Sequence, residues 1–328
     1  MVETFLQALP HGITLSCRAT GERGRPVLMF LHGFPEAAFV WDALLDHFAR
    51  PDNGGYRCVA PNLRGYEHSS APAEAGAYRA RHLVEDIAAL IAIECPTSGG
   101  QLECLVAHDW GGAVAWSLAN QRPDLAKRLA IINSPHPGTF LRELQTNPKQ
   151  QAASAYMNFL IRPDAEQLLA ANDFRRLWEF FTLMGAASPA GTPGAPLGAG
   201  WLTDSVKAQY RAVWRGAPGS APGAALTGAL NYYRASPLRP PRLGDPAASA
   251  VTLPREMLTI ALPTLVLWAM DDTALPPELI DGLDDYVPKL TLHRLERATH
   301  WVVHEQPEVV AALLKKFLAD GAADQNAA

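Results

Sequence analysis

Three side chains occupy positions at which a covalent hydrolytic mechanism would need them. Asp109 stands in the run Ala-His-Asp-Trp-Gly-Gly at 107–112, directly after an apolar stretch that predicts a strand. Small residues around an exposed side chain predict the strained strand-to-helix turn that presents a nucleophile above a sheet edge. Asp272 follows a later predicted strand, and His300 precedes the last predicted helix. The chain order nucleophile, acid, histidine predicts that the three residues act together.

An aspartate nucleophile restricts the reaction. A carboxylate is ordinarily ionised at pH 7, so it can attack a saturated carbon without a base and form an alkyl ester. A histidine is needed afterwards, to activate the water that hydrolyses this ester. The substrate must carry a leaving group on that carbon, which makes it an epoxide or a halide. A simpler interpretation is that Asp109 only caps the helix after it, since aspartate is a preferred N-cap residue.

The segment Leu-His-Gly-Phe-Pro-Glu at 31–36 follows the first apolar run of the chain. A loop in this place and the residue after the nucleophile supply the backbone N–H groups of an oxyanion hole in sheet-based hydrolases. This assigns the amides of Phe34 and Trp110 to an oxyanion hole. For His32 a structural role in tying down the loop is favoured over a catalytic one.

Short apolar runs alternate with helical patterns over the first half of the chain. The predicted strands are residues 27–31, 57–60, 102–107 and 129–132, and the predicted helices between them are 40–48, 82–93 and 111–120. Continuous apolar runs are typical of strands buried on both faces, and this alternation predicts a mostly parallel sheet flanked by helices. The fold class is therefore α/β, and the order of the three site residues indicates the α/β-hydrolase fold.

The pattern changes after residue 138. Residues 139–248 contain helical patterns and no convincing strand, and they include two loops rich in Gly, Ala, Pro and Ser at 185–200 and 216–223. Strand patterns return at 263–268 and 290–295, and a helix is predicted from about Pro307 to Leu318. We therefore expect one catalytic domain, residues 1–138 and 249–328, which is interrupted by a helical lid domain, residues 139–248.

Composition excludes several classes of function. The 328 residues include 28 Lys plus Arg and 33 Asp plus Glu, a net charge of −5 without a long run of like charge. A nucleic-acid partner would need a basic face, so none is expected. No apolar stretch of about 18 residues predicts a membrane span. The first residues lack the pattern of a secretory signal, so we expect a cytoplasmic protein, either a monomer or a homodimer.

Neither the cysteines nor the last histidines have the pattern of a metal site. The sequence has four cysteines, Cys17, Cys58, Cys95 and Cys104. Their spacing matches no zinc motif, and we expect reduced, partly buried thiols. His304 lies four residues after His300, a spacing that can hold a metal on a helix, but no third ligand is evident. We therefore expect His304 at the surface and no metal ion.

Four motifs together identify a resemblance to a known family. They are His-Gly-Phe-Pro-Glu at 32–36, Arg-Gly-Tyr-Glu-His-Ser-Ser at 64–70, His-Asp-Trp-Gly-Gly at 108–112, and the pair Asp272 and His300. In these motifs the chain resembles the soluble α/β-hydrolase-fold epoxide hydrolases over most of its length. The resemblance implies conversion of an epoxide to a vicinal diol without a cofactor. Glu67 departs from the family, whose members usually have glycine there, and this leaves the local turn open.

The same resemblance implies two lid tyrosines that donate to the epoxide oxygen. The stretch Tyr-Met-Asn-Phe-Leu-Ile-Arg-Pro at 156–163 matches the segment of the first donor and assigns it to Tyr156. The segment Leu-Asn-Tyr-Tyr-Arg at 230–234 assigns the second donor to Tyr233, with Tyr232 as the alternative if the register slips by one residue. We expect the substrate to be a small uncharged epoxide. The residues expected to contact it are Phe34, Trp110, Tyr156 and Tyr233.

Two other functions stay open. In a haloalkane or haloacid dehalogenase of the same fold, the indole N–H of Trp110 would bind the departing halide. Haloalkane dehalogenases commonly have asparagine where this chain has Phe34, and fluoroacetate-type enzymes carry arginines after the nucleophile where this chain has Trp110 and Ala113. A non-catalytic binding module on a hydrolase fold would be expected to lack Asp109, Asp272 or His300, and all three are present.

Overall fold

The computed structural model describes residues 1–96, 99–186, 195–216, 219 and 221–325. Within these residues one sheet has eight strands, in the order β1-β2-β4-β3-β5-β6-β7-β8. The strands are β1 Glu3–Ala8, β2 Thr14–Thr20, β3 Val27–Leu31, β4 Arg57–Pro61, β5 Cys104–His108, β6 Leu129–Ile132, β7 Thr264–Ala269 and β8 Leu290–Leu295. Strands β3 to β8 are parallel to one another, which confirms the predicted fold class.

The parallel strands place the site residues at one edge of the sheet. β3, β5, β6 and β7 are buried along their whole length, as their continuous apolar runs predict. Leu31 pairs with Ala107, and His108 pairs with Ile132, so neighbouring strands end at the same level. The turns that follow these strands are therefore brought together at their carboxyl ends, where open α/β sheets bind ligands.

The first two strands are missing from the sequence-based prediction. β1 and β2 pair antiparallel, and β2 continues antiparallel onto β4. β1 lies at the edge of the sheet and alternates between exposed and half-buried residues. A search for continuous apolar runs misses such a hairpin, because an edge strand needs an apolar residue only at every second position.

Helices cover the sheet and also form the long segment between β6 and β7. The helices are α1 Asp42–Ala49, α2 Ala80–Glu94, α3 Trp110–Gln121, α4 Pro137–Thr146, α5 Pro148–Ala153, α6 Tyr156–Leu160, α7 Ala165–Phe181, α8 Asp204–Arg215, α9 Thr227–Ala235, α10 Val302–Glu305 and α11 Pro307–Gln325. Shorter helical turns are Ala38–Trp41, Pro51–Asn53, Ala75–Tyr78, Pro123–Leu125, Thr182–Ala186, Ala224–Leu226, Ala247–Ala250, Arg255–Met257, Pro277–Ile280 and Leu283–Asp285. α7 is broken at 171–174, where the backbone leaves the helical conformation.

The chain between β6 and β7 carries helices α4 to α9 and, in its described part, no strand. The first of these helices begins at Pro137, close to the predicted start of the insertion. The boundaries of the two domains stay a prediction. Of the two predicted loops, residues 187–194, 217–218 and 220 lie outside the described residues. No helix in the described ranges is long and apolar enough to cross a membrane.

All four cysteines are free thiols in the interior. Cys17, Cys58 and Cys104 lie on the strands β2, β4 and β5, and Cys95 ends α2. Each is buried, and burial raises the pKa of Cys17 and of Cys95 to about 12. These thiols therefore remain protonated at neutral pH and pack as small apolar side chains.

Glu67 adopts a backbone conformation in which glycine is usually found. Its φ is +48°, a left-handed value that is uncommon for a residue with a Cβ atom. Its carboxylate accepts hydrogen bonds from Ser16 Oγ at 2.8 Å and from Asn62 Nδ2. Asn62 Oδ1 in turn accepts the amide N–H of Ala38 at 2.8 Å. The glutamate thus keeps the turn that glycine would allow, and its side chain connects the turn to β2 and to the segment after Phe34.

We expect Glu67→Ala to lower the free energy of unfolding by about 1–3 kcal/mol, because Ser16 and Asn62 lose a charged acceptor while the strained backbone remains. Urea unfolding followed by circular dichroism measures this change. Glu67→Gln is the matched control, since both bonds go to Oε2 and an amide oxygen in that place can still accept them without the charge, so this variant should lose less. Equal stability of Glu67→Ala and the unchanged chain would contradict this account.

Candidate active site

Asp109 stands on a strained turn between β5 and α3. Its backbone has φ +48° and ψ −123°, and its side chain makes no capping hydrogen bond to the helix. The interpretation of Asp109 as a mere helix cap is therefore wrong. Two glycines make the turn possible, because a Cβ on Gly33 would collide with the Asp109 carboxylate and one on Gly111 with the backbone of β3. Strain of this kind persists where the surrounding structure enforces it.

The two carboxylate oxygens of Asp109 have different surroundings. Oδ1 accepts the amide N–H of Phe34 at 2.7 Å. Oδ2 lies 3.7 Å from Nε2 of His300. The main-chain oxygen of Asp109 accepts the hydroxyl of Ser134 at 2.7 Å, which fixes the turn from below. One oxygen is thus held by the loop after β3, and the other faces the histidine.

His300 and Asp272 form a buried pair. Nδ1 of His300 lies 2.7 Å from Oδ2 of Asp272, and both side chains are at most 3% exposed. Asp272 also accepts three further bonds, from Nδ2 of Asn133 at 3.0 Å and from the amides of Ala274 and Leu275 at 2.9 Å each. These four donors fix the carboxylate, which in turn orients the imidazole so that Nε2 points to Asp109.

Asn133 is a site residue that the sequence analysis missed. It follows β6, and its backbone φ is +40°. Its Oδ1 accepts a hydrogen bond from the amide N–H of Ala269 at 2.8 Å, and its Nδ2 donates one to Asp272. An asparagine directly after a buried strand, at a position that requires positive φ, is the signal that could have found it.

Two opposing effects set the basicity of His300. Burial alone would lower its pKa, but the charge and hydrogen bond of Asp272, together with the charges of Asp109 and Glu36, outweigh it and raise the pKa from 6.5 to about 9. With both carboxylates charged, the imidazole is therefore protonated at neutral pH. Any change that removes the charge of Asp109 also removes part of what raises this pKa.

The loop after β3 is held from several sides. Nε2 of His32 accepts the amide of Leu63 at 3.1 Å, and its Nδ1 lies 3.0 Å from the oxygen of Gly33. Burial lowers the pKa of His32 to about 4, so it is neutral, in keeping with a structural role. Nε1 of Trp214 donates to the oxygen of Pro35 at 2.8 Å. These contacts hold the Phe34 amide in place. Trp110 begins α3, so its amide is one of the first-turn donors without an acceptor inside the helix.

Glu36 is the centre of a buried network that reaches the site. Its carboxylate contacts Nδ1 of His108 at 3.1 Å, Nε2 of His304 at 2.8 Å and the hydroxyl of Tyr210 at 3.0 Å. Nε2 of His108 lies 2.9 Å from the main-chain oxygen of His300. Burial alone would raise the pKa of Glu36, but the hydrogen bonds and charges of His108 and His304 outweigh it and lower this pKa.

The expectation that His304 lies at the surface is wrong. Its side chain is 12% exposed, and its ring stacks on Trp201 with centroids 4.0 Å apart and planes 5° from parallel. The expectation of a surface position was based on the absence of a third metal ligand beside His300 and His304 in the sequence. His304 lies in the interior because the buried carboxylate of Glu36 needs hydrogen-bond donors.

Tyr156 and Tyr233 share a cavity with Asp109. This reaction cavity has a volume of about 80 Å³, and Trp110 also lines it. The ring of Tyr233 packs edge-on against Trp110 at 5.0 Å and against Phe34 at 5.2 Å between centroids. Burial and the charge of Asp109 raise the pKa of both phenols, so both hydroxyls keep their protons at neutral pH. The structure thus brings together the five side chains predicted for the site.

Tyr232 points elsewhere. Its hydroxyl donates to the main-chain oxygen of Arg64 at 2.9 Å, and its side chain is outside the reaction cavity. Neighbouring residues of one helix differ in direction by about 100°. Of the two adjacent tyrosines of α9, therefore, Tyr233 faces Asp109.

Known proteins resemble this chain over nearly its whole length. A model of the alpha/beta hydrolase fold matches residues 26–307. The mouse protein "Epoxide hydrolase 4" is 33% identical over 321 residues, which are 96% of this chain and 79% of the relative. A solved epoxide hydrolase from hot-environment metagenomes is 33% identical with a TM-score of 0.77, and the match covers 97% of this chain and 99% of the other. The Bacillus megaterium epoxide hydrolase is 29% identical with a TM-score of 0.80, over 96% and 100%.

Proposed function

This chain belongs to the α/β-hydrolase fold family and within it to the epoxide hydrolases, and we propose that it converts an epoxide to a vicinal diol through an ester on Asp109. One observation supports this route above all. A carboxylate with one oxygen held by an amide and the other facing His300 shares its cavity with two protonated tyrosines.

In the first step, Oδ2 of Asp109 attacks one ring carbon of the epoxide. The C–O bond of the ring breaks, and its electron pair goes to the ring oxygen. The hydroxyls of Tyr156 and Tyr233 donate hydrogen bonds to that oxygen and supply its proton. A phenol is a suitable donor because the leaving alkoxide is far more basic than the phenolate it leaves behind.

In the second step, water attacks the carbonyl carbon of the ester. His300 takes a proton from the water, and Asp272 stabilises the resulting imidazolium. The negative charge develops on Oδ1, the oxygen that the Phe34 amide already contacts at 2.7 Å. The Trp110 amide is the second proposed donor. Collapse of this intermediate breaks the bond from the carbonyl carbon to Oδ2, and the imidazolium of His300 gives its proton to that oxygen as the diol leaves. Asp109 keeps the oxygen of the water, and the remaining proton of that water restores the tyrosine hydroxyl.

We also propose that the segment 139–248 acts as a lid. Both tyrosines come from it, on α6 and α9, whereas Asp109, Asp272 and His300 come from the sheet edge. The lid would exclude bulk water and bring the proton donors to the carboxylate. The substrate is a small-molecule epoxide, and an uncharged one fits a cavity whose one charged lining residue, among those described, is Asp109. The cytoplasmic location and the oligomeric state stay predictions.

A single turnover in ¹⁸O-labelled water tests the covalent route. With enzyme in excess over styrene oxide, the label should enter the carboxylate of Asp109, and the diol should contain only unlabelled oxygen. Peptide mass spectrometry locates the label. A labelled diol beside an unlabelled Asp109 would exclude the ester and require direct attack by water. Release of halide from alkyl halides at a rate above that of diol formation would favour a dehalogenase.

The pH dependence of the second step follows from the charges around His300. The base must be neutral, and esterification of Asp109 removes one of the charges that raise its pKa to about 9. We therefore expect ester hydrolysis to accelerate as pH rises and to level off with a midpoint below 9. Rapid-quench measurement of ester decay between pH 5 and 10 checks this. A midpoint at or above 9, or a rate that falls with rising pH, would contradict the assignment.

A further inference from the structure

The reaction cavity adjoins a larger chamber. This side chamber has a volume of about 360 Å³ and lies along α3, between that helix and the chain segment 251–260. It shares five lining residues with the reaction cavity, namely Trp110, Ala113, Pro137, Ser236 and Leu238. The two spaces are therefore neighbours, and Ala113 is the smallest of the side chains that line both.

The reaction cavity alone is too small for most ligands. Proteins usually bind small molecules in pockets of roughly 300–1,000 Å³. About 80 Å³ beside Asp109 accommodates the ring and little else. Any sizeable group on the epoxide must leave the reaction cavity, and the side chamber supplies the room directly past Trp110 and Ala113.

The lining of the side chamber selects an apolar group. Leu83, Val114, Leu253 and Ile260 line it together with the rings of Trp116 and Tyr232. Burial lowers the pKa of His136 to about 4, so this lining residue is neutral at pH 7. Arg79 is the one charged residue among the described lining residues, and its side chain is exposed, as is Met257. The chamber is thus uncharged inside and reaches the surface near Arg79 and Met257.

Resting on the proposed function, we propose that the side chamber binds an extended, uncharged apolar substituent of the epoxide. The preferred substrate would then be unsymmetrical: the ring lies between Asp109 and the tyrosines, and an alkyl or arylalkyl chain passes Ala113 into the chamber. Leu253 and Ser117, which line the chamber and not the reaction cavity, determine chain-length preference without contact with the reacting atoms.

A series of terminal epoxides, from butene oxide to decene oxide, tests this inference. For the unchanged enzyme, kcat/KM should rise about fourfold with each added methylene until the chamber is filled. Leu253→Trp, which fills the chamber from 251–260, should reduce the ratio of kcat/KM for decene oxide to that for butene oxide by about tenfold or more, as expected when about two methylenes lose their burial. Ser117→Phe fills it from α3 and should act in the same direction.

Val309→Trp is the matched control. Val309 is a partly exposed residue of α11 that lines neither cavity, so the ratio should stay as in the unchanged enzyme. No hydrolysis of any epoxide by the unchanged enzyme would refute the proposed function itself. Hydrolysis without a chain-length preference would refute only the inference about the chamber. A preference that survives in both Leu253→Trp and Ser117→Phe, with melting temperatures near that of the control, would refute it as well.

Discussion

Replacing His300 by glutamine should stop turnover and leave the substrate attached to Asp109. Glutamine can still donate toward Asp272, but it cannot take a proton from water, so the ester forms and persists. We expect kcat to fall by about 10⁴-fold, the upper end of what a general base contributes. Mixing the variant with styrene oxide should increase the intact mass by the mass of one epoxide. Digestion should place that increase on the peptide with Asp109.

His68→Gln is the matched control for this experiment, because His68 is an exposed histidine outside the reaction cavity. It should turn over normally and gain no mass. The covalent route would be wrong if the His300→Gln protein lost turnover without gaining mass under conditions in which it remains folded. A mass gain on a different residue would move the nucleophile away from Asp109.

Loss of both phenolic hydroxyls should abolish ring opening. We expect Tyr156→Phe and Tyr233→Phe each to slow ester formation by about 10²-fold, and the double variant by about 10⁴-fold, because the alkoxide then leaves without a proton donor. Stopped-flow measurement of Trp fluorescence during ester formation checks the rates, since Trp110 lines the same cavity. Phenylalanine keeps the aromatic packing around Trp110, so the loss reports on the hydroxyls.

Tyr232→Phe separates this role from the presence of a tyrosine on α9. The hydroxyl of Tyr232 donates a hydrogen bond to the main-chain oxygen of Arg64. The variant should therefore lose about 1 kcal/mol of stability, and its rate of ester formation should change only a few-fold. If Tyr232→Phe lost activity as severely as Tyr233→Phe, the assignment of the second donor would fail. Unchanged ring opening in the double variant would show that the epoxide oxygen takes its proton from a donor other than Tyr156 and Tyr233.

The sequence predicts this site well where each residue is tied to the end of a strand. Asp109, Asp272 and His300 each follow a recognisable buried strand or precede a helix, and a parallel sheet must bring such positions to one edge. The choice between Tyr232 and Tyr233 depends on the rotation of a single helix, which a sequence motif cannot specify to one residue. The structure supplies that rotation through the bond from Tyr232 to Arg64.

Other features depend on interactions between distant segments. His304 lies inside because Glu36, far away in the chain, is a buried carboxylate that needs a donor. Asn133 supports Asp272 from a third strand end. Its position directly after a buried strand marks Asn133 itself, but the local sequence does not show that Asp272 is its partner. β1 and β2 were missed because an edge hairpin has a weak apolar pattern. In each case the missing information was the identity of the spatial neighbour.

Epoxides are alkylating agents, and among protein side chains the thiolate is a preferred nucleophile. An enzyme that concentrates such a compound risks inactivation by its own substrate. Here all four cysteines are buried, and burial raises the pKa of each thiol, that of Cys17 and Cys95 to about 12. Substrate that escapes from the cavity therefore meets no exposed thiolate on this protein. The interior position of the cysteines thus keeps this nucleophile away from the enzyme's own electrophile, whereas Asp109, the proposed site of alkylation during turnover, is the side chain for which hydrolysis of the adduct is provided.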